Sequence, residues 1–370
     1  MQVLEFLFYT FLLVILLQYL FHGFIFLKFS LCNVHSMPKK NIGVSVLVCA
    51  KNESKNLSVL IPKLLEQDFP KYEIVLINDA STDNTLEVME TFNEQNDNIK
   101  IVDVKNIEAF WGNKKYALTL GIKASTYDFL LFTDADCVPD TNQWIKSMSS
   151  NFSNKKTIVL GYSGYRKNKG SLLNMLIRYE TTLTAIQYLA FAQLGMPYMA
   201  VGRNLAYRKD EFFHTNGFMS HMNIKSGDDD LFVNQVATKH NTTINLNKES
   251  FTTSKPETSL KKWFRQKRRH VTTAKHYKTI HKGVLSLFYI SQLSFWVLGI
   301  ILLVYHYNFL IVITLITLRF LLQFLSYGFS ARKLNTLDTL LLLPLLEIFL
   351  ITAQFFIFIT NSTSKSNHWR

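Results

Sequence analysis

Cysteine is scarce in this sequence of 370 residues, which contains only Cys32, Cys49 and Cys137. No two of them form a CxxC pair, and their spacing shows no pairing pattern. A disulfide framework or a zinc site is therefore not expected, and a reducing compartment is favoured. The sequence also lacks internal repeats and low-complexity tracts.

Charge is missing from the N-terminal end, where no charged residue occurs from Phe6 to Leu27. This run is long enough to cross a bilayer, which takes about 20 residues. A cleaved signal peptide is the alternative, but Glu5 precedes the run and bulky residues end it. We therefore predict an uncleaved anchor. Because Lys28, Lys39 and Lys40 follow it, its C-terminal end is expected to face the cytosol.

The C-terminal end predicts three further spans, at about Val284–Tyr305, Asn308–Phe329 and Leu340–Thr360. Pro344 and Glu347 interrupt the last of these, so two spans plus a re-entrant or interfacial helix is the alternative.

Arg319 lies near the middle of one predicted span, where a lone charge is costly. Pairing with Glu347 is the expected solution, and snorkelling to the interface is the alternative.

The formal net charge of +13 raises the possibility of nucleic-acid binding. The placement of the charge favours a membrane surface instead, because a basic run leads directly into an apolar segment. We therefore expect a membrane as a partner and no nucleic acid. Between Lys255 and Lys282 the basic residues are Lys261, Lys262, Arg265, Lys267, Arg268, Arg269, Lys275 and Lys278.

The stretch from 41 to 255 alternates strand-like and helix-like segments. Short apolar strands separated by helices predict an α/β domain with a mostly parallel, doubly wound sheet. In such sheets ligands bind at the carboxyl ends of the strands. The predicted strands are Val44–Val48, Tyr72–Ile77, Ile101–Val104 and Phe129–Phe132, with helices near Leu57–Gln67, from about Thr82, and near Lys114–Lys123.

Carboxylates follow these strands. Asp79 lies at the tip of the second strand, where it can accept hydrogen bonds from a base or a ribose. The Ser81, Thr82 and Asp83 that follow are explained by helix capping. Glu53 comes just after the first strand.

Asp134 and Asp136 follow the fourth strand at i, i+2 spacing. Two such carboxylates can converge on Mg²⁺ or Mn²⁺, which prefer oxygen ligands and complete their shells with substrate phosphates. Aspartates are also common in turns for local reasons, so the pair alone is a weak signal.

Three carboxylates in a row, Asp228, Asp229 and Asp230, precede a predicted helix. Capping explains part of the cluster. Mutual repulsion could raise the pKa of one member, which suits a general base.

Taken together, the order of these motifs resembles glycosyltransferase family 2. The matching segments, over about residues 42–270, are NDASTD at 78–83, NKKYAL at 113–118, TDAD at 133–136, GRNLAYR at 202–208, GDDDL at 227–231 and RQKRRH at 265–270. The resemblance implies a GT-A type nucleotide-diphospho-sugar transferase fold and an inverting transfer from a nucleotide-sugar donor. It also implies Mg²⁺ or Mn²⁺ as cofactor.

The resemblance further implies a role for each matched residue. Asp228 would be the catalytic base, and Asp136 with Asp134 would hold the metal. The implied donor-binding residues are Glu53, Asp79, Lys114, Asp134, Gln266 and Arg269. The implied acceptor-side residues are Arg203, Asn204, Asp229 and Asp230.

Two residues depart from the family pattern. Gly227 replaces the usual Glu, so Asp229 and Asp230 remain rivals of Asp228 as the base. His270 replaces a Trp that contacts the polymer in processive synthases, which weakens the case for chain building.

The sequence thus predicts an anchor (1–30), a glycosyltransferase domain (41–255), a basic interfacial segment (256–283) and about three C-terminal spans (284–360). We expect a multi-pass membrane protein with a cytosolic catalytic domain and a lipid or lipid-linked acceptor. The alternatives are a processive polysaccharide synthase and an inactive nucleotide-sugar-binding membrane protein. A transporter is disfavoured because charged residues in the spans are too few to line a pathway.

Overall fold

The structure is a computed structural model that describes residues 1–33, 38, 40–105 and 114–363. The chain divides into two compact units. One comprises Val34–Lys167 and Gly195–Glu257 and is called the sheet unit below. The other comprises Met1–Asn33, Asn168–Leu194 and Thr258–Arg370 and is called the helical unit.

Two sheets form within the sheet unit. The larger has seven strands in the order β3-β2-β1-β4-β8-β6-β9, and the smaller has the order β5-β10-β7. In chain order the strands are β1 (Val44–Ala50), β2 (Tyr72–Asp79), β3 (Ile99–Val104), β4 (Phe129–Asp134), β5 (Cys137–Pro139), β6 (Ile158–Leu160), β7 (Ser163–Tyr165), β8 (Leu205–Arg208), β9 (Thr242–Ile244) and β10 (Thr252–Ser254).

The helices connect these strands or build the helical unit. In chain order the α-helices among the described residues are α1 (Gln2–Tyr19), α2 (Leu27–Leu31), α3 (Ser54–Leu65), α4 (Thr85–Gln95), α5 (Lys114–Ala124), α6 (Trp144–Ser149), α7 (Leu172–Gln193), α8 (Lys209–His214), α9 (Asp230–Val236), α10 (Leu260–Ala274), α11 (Thr279–Val304), α12 (Phe309–Lys333) and α13 (Leu343–Thr363). A π-helical segment, Leu20–Phe26, joins α1 to α2.

The first four strands of the larger sheet are parallel, as the alternation of strands and helices predicts. β1 pairs in parallel with both β2 and β4, and β2 pairs in parallel with β3. The chain therefore runs from β1 outward to β3 and returns to the other side of β1 as β4. This reversal is a topological switch point, where open α/β sheets leave a crevice at the strand ends. The antiparallel β8 then extends the sheet beyond β4.

Apolar residues explain why these strands are central. Val46, Leu47 and Val48 on β1 are each 0% exposed. Strands covered on both faces are expected to form continuous apolar runs such as this one. Helix α3 packs on the sheet through Leu57, Leu60, Ile61 and Leu64, which repeat at the 3.6-residue period of a helix.

Among the described residues of the helical unit, four helical segments are long and apolar enough to cross a membrane, judged by length and composition. They are Gln2–Leu31, Thr279–Val304, Phe309–Lys333 and Leu337–Thr363. Each contains one of the spans predicted from the sequence, apart from a residue or two at the ends. Helix α7, which the sequence analysis placed within 41–255, belongs to this unit.

A buried polar network links these four segments. Arg319 on α12 is 0% exposed and forms an ion pair with Glu347 on α13, as the sequence predicts. Its guanidinium also donates to Gln18 of α1 at 2.9 Å, and Gln292 of α11 donates to Glu347 at 2.8 Å. A buried ion pair is stabilised only when further hydrogen bonds satisfy it, and here Gln18 of α1 and Gln292 of α11 supply them.

Candidate functional site

Three neighbouring strand ends define the edge of the site. Asp79 ends β2, Asp134 ends β4, and β1 lies between them. Cys49, near the end of β1, is in register with Ile77 on one side and Asp134 on the other. Strands lie about 4.8 Å apart, so the strand ends that carry the two aspartates are separated by roughly 10 Å. The prediction that these residues meet at one edge of the sheet is confirmed.

The turns after β1 and β2 support each other. The Asn52 side chain accepts a hydrogen bond from the Thr82 N–H at 2.8 Å, and Ser81 Oγ accepts one from the Asn52 N–H at 3.0 Å. Helix α4 consequently begins at Thr85, not near Thr82 as expected. Asn84 is the N-terminal cap residue of α4 and makes no side-chain cap hydrogen bond. The Asp83 carboxylate accepts from the Thr85 N–H at 3.0 Å, near the start of the helix. Ser81 and Thr82, which were expected to cap the helix, bind the neighbouring turn instead.

Asp79 is only partly exposed at the end of β2. Burial raises the pKa of its carboxyl, although the nearby Lys51 and Lys114 ammonium groups oppose the shift. Asn78, the preceding residue, is held by a hydrogen bond from its side chain to Asp103 at 2.7 Å. Asp79 therefore has cations within electrostatic reach and a neighbour that fixes the strand tip.

Lys114, the first residue of α5, lies at the centre of the site. Its Nζ contacts Asp134 Oδ1 at 2.7 Å and Asp228 Oδ2 at 2.9 Å. Burial disfavours the ammonium, but the Asp134 and Asp228 carboxylates outweigh this effect and hold the pKa of Lys114 well above its usual value. The Lys114 ammonium thus joins two carboxylates that lie 94 residues apart in the chain.

The Asp228–Asp230 cluster stands at the start of α9. Asp229 is the N-terminal cap of this helix, and its Oδ2 accepts from the Gly202 N–H at 2.6 Å. Asp229 Oδ1 accepts from the Asp230 N–H at 2.7 Å. Burial, with the charges of Asp228 and Asp230, raises the pKa of Asp229 to about 7. Both oxygens of Asp229 therefore face backbone donors and not solvent.

Gly227, the departure from the family pattern, has a conformational explanation. Its φ is +96°, a region that side chains other than glycine rarely adopt. A Cβ at this position would lie 2.5 Å from Cδ1 of Leu231. A glutamate cannot replace Gly227 here without a shift of the backbone or of Leu231.

Asp136 lies in the turn between β4 and β5, and its side chain is exposed. Even so, the protein around its carboxyl displaces part of the surrounding water. This desolvation, with the charge of Asp134, raises the pKa of Asp136 to about 6, against the opposing effect of Arg203. Glu53 lies within electrostatic reach of Asp136, and the Glu53 carboxylate raises the pKa of Asp136 further. Glu53 itself accepts from the Asn56 side chain at 2.6 Å.

The two predicted acceptor-side residues before β8 differ in their surroundings. The Arg203 guanidinium lies 4.5 Å from the centre of the Tyr165 ring. Asn204 is 0% exposed, and its amide binds Trp144, Tyr162 and Ser250 within the domain. These contacts suit a residue that positions β8 better than one that meets a ligand.

Gln266 and Arg269 lie on α10, in the helical unit, whereas the other predicted site residues lie in the sheet unit. Both are partly buried. Their donor-binding role stays a prediction. Asn113, within the motif that places Lys114, lies outside the described residues.

Lys115, which is 0% exposed, was not among the residues predicted from the sequence. Burial lowers its pKa to about 8, and the carboxylates of Asp228, Asp230 and Asp229 oppose this shift. A signal was present, because Lys115 shares a helical face with Leu118 and Ile122 at i+3 and i+7. Cys49 was also missed, although it lines the same cleft as Lys114, Asp134 and Asp228.

The residues at this edge fit a divalent cation that also binds a substrate. Among the described residues no group of three or more His, Cys, Asp or Glu side chains is arranged to hold a metal ion. Asp134 and Asp136 supply two hard oxygen donors, one at the end of β4 and one in the turn that follows it. Mg²⁺ and Mn²⁺ sites with one or two carboxylates completed by phosphate oxygens match this donor set.

Comparison with known proteins supports the family resemblance. The model of the family described as "Glycosyl transferase family 2" matches residues 45–217, which include all of the strands from β2 to β8 and all of β1 except Val44. This stretch, slightly less than half of the chain, is similar to glycosyltransferase family 2. The resemblance predicted from the motifs is thereby confirmed, and the α/β fold class with it.

Among curated relatives, the poly-β-1,6-N-acetyl-D-glucosamine synthase of Staphylococcus epidermidis is 31% identical over 147 residues. The synthase of the same name from Staphylococcus aureus strain COL is 33% identical over 149 residues. Each alignment covers 39% of this chain and 34% of the relative, so the match spans about a third of those synthases.

A solved structure extends the likeness in fold. The mannosyltransferase of Pyrobaculum calidifontis, in complex with GDP-Man and Mn²⁺, has a TM-score of 0.56 and 15% sequence identity. The alignment covers 90% of this chain and 98% of the mannosyltransferase. At this identity the similarity concerns the fold.

Proposed function

We propose that this protein is an inverting glycosyltransferase that transfers a sugar from a nucleotide-sugar donor to a lipid or lipid-linked acceptor at a membrane. The single observation that carries the proposal is the position of Lys114 between Asp134 and Asp228. Asp134 belongs to the donor side of the family pattern and Asp228 to the acceptor side. Because Lys114 contacts both residues, the donor and acceptor sides meet in one cleft, as a direct displacement requires.

Each residue has a separate task in this proposal. Asp79 accepts hydrogen bonds from the base or ribose of the donor, and Glu53 lies beside the same edge. The Lys114 ammonium binds the diphosphate and offsets its charge. Asp228 removes the proton from the acceptor hydroxyl as that oxygen attacks the anomeric carbon from the side opposite the leaving group. The bond to the diphosphate oxygen breaks as the new glycosidic bond forms, so the anomeric configuration inverts.

Asp134 and Asp136 would hold Mg²⁺ or Mn²⁺. When bound, such a cation stabilises the negative charge that develops on the leaving diphosphate. Gln266 and Arg269 are proposed to add polar and cationic contacts on the donor side, and Arg203, Asp229 and Asp230 to shape the acceptor side.

A processive polysaccharide synthase is the second candidate, and the poly-β-1,6-N-acetyl-D-glucosamine synthases among the relatives favour it. His270, where processive synthases of the family pattern carry Trp, argues against it. The product distinguishes the two candidates: a single added sugar supports the first, and a ladder of chain lengths supports the second.

The test is a donor screen with purified full-length protein in detergent. Release of nucleoside diphosphate is measured from UDP-GlcNAc, UDP-glucose, GDP-mannose and related donors, with a membrane lipid extract as acceptor. We expect one donor to be turned over at least about 10-fold faster than the rest, because a hydrogen-bonding sugar site rejects mismatched hydroxyls strongly. Absence of turnover with every donor, in protein that binds nucleotide, would support the inactive alternative.

We also propose that the sheet unit faces the cytosol, because the basic residues flank the spans on that side. A cysteine introduced at Asn93, an exposed residue of α4, should react with an impermeant thiol reagent added from the cytosolic side. A cysteine at Tyr305, which is 66% exposed between α11 and α12, serves as the matched control and should react from the opposite side. Reversed labelling of the two positions would refute the topology.

A further inference from the structure

Lys115 is a fully buried lysine in the wall of the candidate site. Its side chain is 0% exposed, and it follows Lys114 directly at the start of α5. Successive residues of a helix point about 100° apart, so the two ammonium groups face different neighbours. Lysine is rarely buried unless it is paired, because removing an ammonium from water is costly.

The Lys115 ammonium is directed at one short segment of the chain. Its Nζ donates to the His221 carbonyl at 2.7 Å and to the Ile224 carbonyl at 3.0 Å. It also lies 2.8 Å from Nδ1 of the His221 ring. These contacts give the buried ammonium hydrogen-bond partners in place of water.

This segment leads to the proposed base. His221 ends a short 3-10 helix, Met219–His221, and no α-helix or strand begins again until Asp230. Asp228 is four residues beyond Ile224 and contacts Lys114 at 2.9 Å. Lys114 and Lys115, which are neighbours on α5, therefore hold the Asp228 carboxylate and the segment that precedes it.

We propose that Lys115 is a positioning residue that anchors the 218–227 segment, here called the base loop, so that Asp228 faces the donor cleft. The proposal rests on the proposed function and adds a residue that touches neither donor nor acceptor. Lys115 acts through the base loop. Its hydrogen bonds fix two carbonyls of a segment that contains no α-helix or strand, and the fixed segment sets the position of Asp228. A displacement of about 1 Å at a reacting group can lower the rate roughly 100-fold, so such an anchor matters for turnover.

The test compares Lys115→Met with Lys123→Met in full-length protein in detergent. Methionine has a similar length without the donors, and Lys123 is an exposed lysine on the same helix. Three quantities are measured: hydrogen exchange of peptides covering 218–227, affinity for UDP-GlcNAc or for the donor found in the screen, and single-turnover transfer.

For Lys115→Met we expect base-loop exchange to rise at least about 10-fold and transfer to fall about 10- to 100-fold, while donor affinity changes less than about 3-fold. Lys123→Met should match the unmodified protein in all three. His221→Gln, which removes the ring but leaves both carbonyls, should change exchange and transfer in the same direction by a smaller factor. If Lys115→Met does not fold, His221→Gln tests the positioning role in its place.

Unchanged exchange in the base loop overturns the proposal. So does raised exchange with normal transfer, and so does a parallel loss of donor affinity and thermal stability, which indicates a purely structural role. If the unmodified protein transfers no sugar, the proposed function fails and the positioning role fails with it. The exchange result then reports only whether the anchor exists.

Discussion

The Nζ of Lys114 lies 2.9 Å from Oδ2 of Asp228, so the proposed base is paired with a cation. The same Nζ lies 2.7 Å from Asp134 Oδ1. A bound diphosphate would compete for this ammonium, since phosphate oxygens carry more charge than a carboxylate. Donor binding would then leave Asp228 available to an acceptor hydroxyl. We therefore propose that the donor binds before the acceptor.

Metal dependence is the first prediction. Asp136→Ala should lose Mn²⁺-dependent donor affinity, because Asp134 alone leaves too few protein ligands at the strand end. Donor affinity is measured by calorimetry with Mn²⁺ and with EDTA. Asp97→Ala, at an exposed turn before β3, is the control and should behave as the unmodified protein. Full sugar transfer in the presence of EDTA would contradict the metal-binding role proposed for Asp134 and Asp136.

The second prediction concerns Gly227. Gly227→Glu restores the residue usual in the family but places a Cβ where 2.5 Å separates it from Leu231. With a φ of +96°, the strain should cost about 1–3 kcal/mol of stability, and transfer should fall instead of improving. Thermal unfolding and turnover are compared with Gly283→Ala, where a Cβ meets nothing within 4 Å. Transfer at or above the unmodified rate in Gly227→Glu would contradict this explanation.

The third prediction is a pH dependence of stability set by Glu73 on β2. Burial tends to raise the pKa of this carboxyl, but hydrogen bonds from Ser45 and Thr126 and the charge of Lys100 outweigh burial and lower it. A lowered pKa in the folded state stabilises the fold at pH values above the unfolded pKa of about 4.3, and this stabilisation is lost as the pH falls through the folded pKa.

Glu73→Gln should therefore cost about 1–3 kcal/mol at neutral pH, and the difference from the unmodified protein should shrink on acidification. Denaturant unfolding followed by tryptophan fluorescence from pH 7 downward measures it. Glu90→Gln, at an exposed position on α4, is the matched control. A cost that stays constant across the acid range would show that the charge of Glu73 is not the cause.

The pattern of residues along the sequence predicted those structural features that depend on residues close together in the chain. The four parallel strands follow from periodicity, and the structure confirms them. The apolar runs follow from run length, and each forms a helical segment that is long and apolar enough to cross a membrane. The Arg319–Glu347 pair followed from the cost of a lone charge in a span, which leaves few alternatives. Asp79 and Asp134 were found because parallel strands end at the same edge.

Contacts between distant segments were not predictable in this way. Asp229 faces Gly202, which is 27 residues away, and Lys115 faces His221, which is 106 residues away. Helix α4 begins at Thr85 because Asn52, on another turn, binds Thr82. Each of these depends on how two loops meet, which no periodicity encodes.

The last prediction separates the three carboxylates of the cluster. Asp228→Asn keeps the shape of the side chain but cannot take a proton from the acceptor hydroxyl. Since general-base catalysis contributes about 10²–10⁴-fold, single-turnover transfer should fall by that factor while donor affinity changes little.

Asp229→Asn should act differently, because the two oxygens of Asp229 accept from the Gly202 and Asp230 N–H groups. An amide can accept at only one of these positions, so the variant should lose about 1–3 kcal/mol of stability and a smaller part of its turnover. Asp230, whose Oδ1 accepts from the Leu231 N–H at 2.7 Å, provides a third comparison as Asp230→Asn. Donor affinity, thermal unfolding and single-turnover transfer are measured for all three. Normal turnover in Asp228→Asn with a dead Asp229→Asn or Asp230→Asn would move the base to that residue, and the fold and the donor side would stand unchanged.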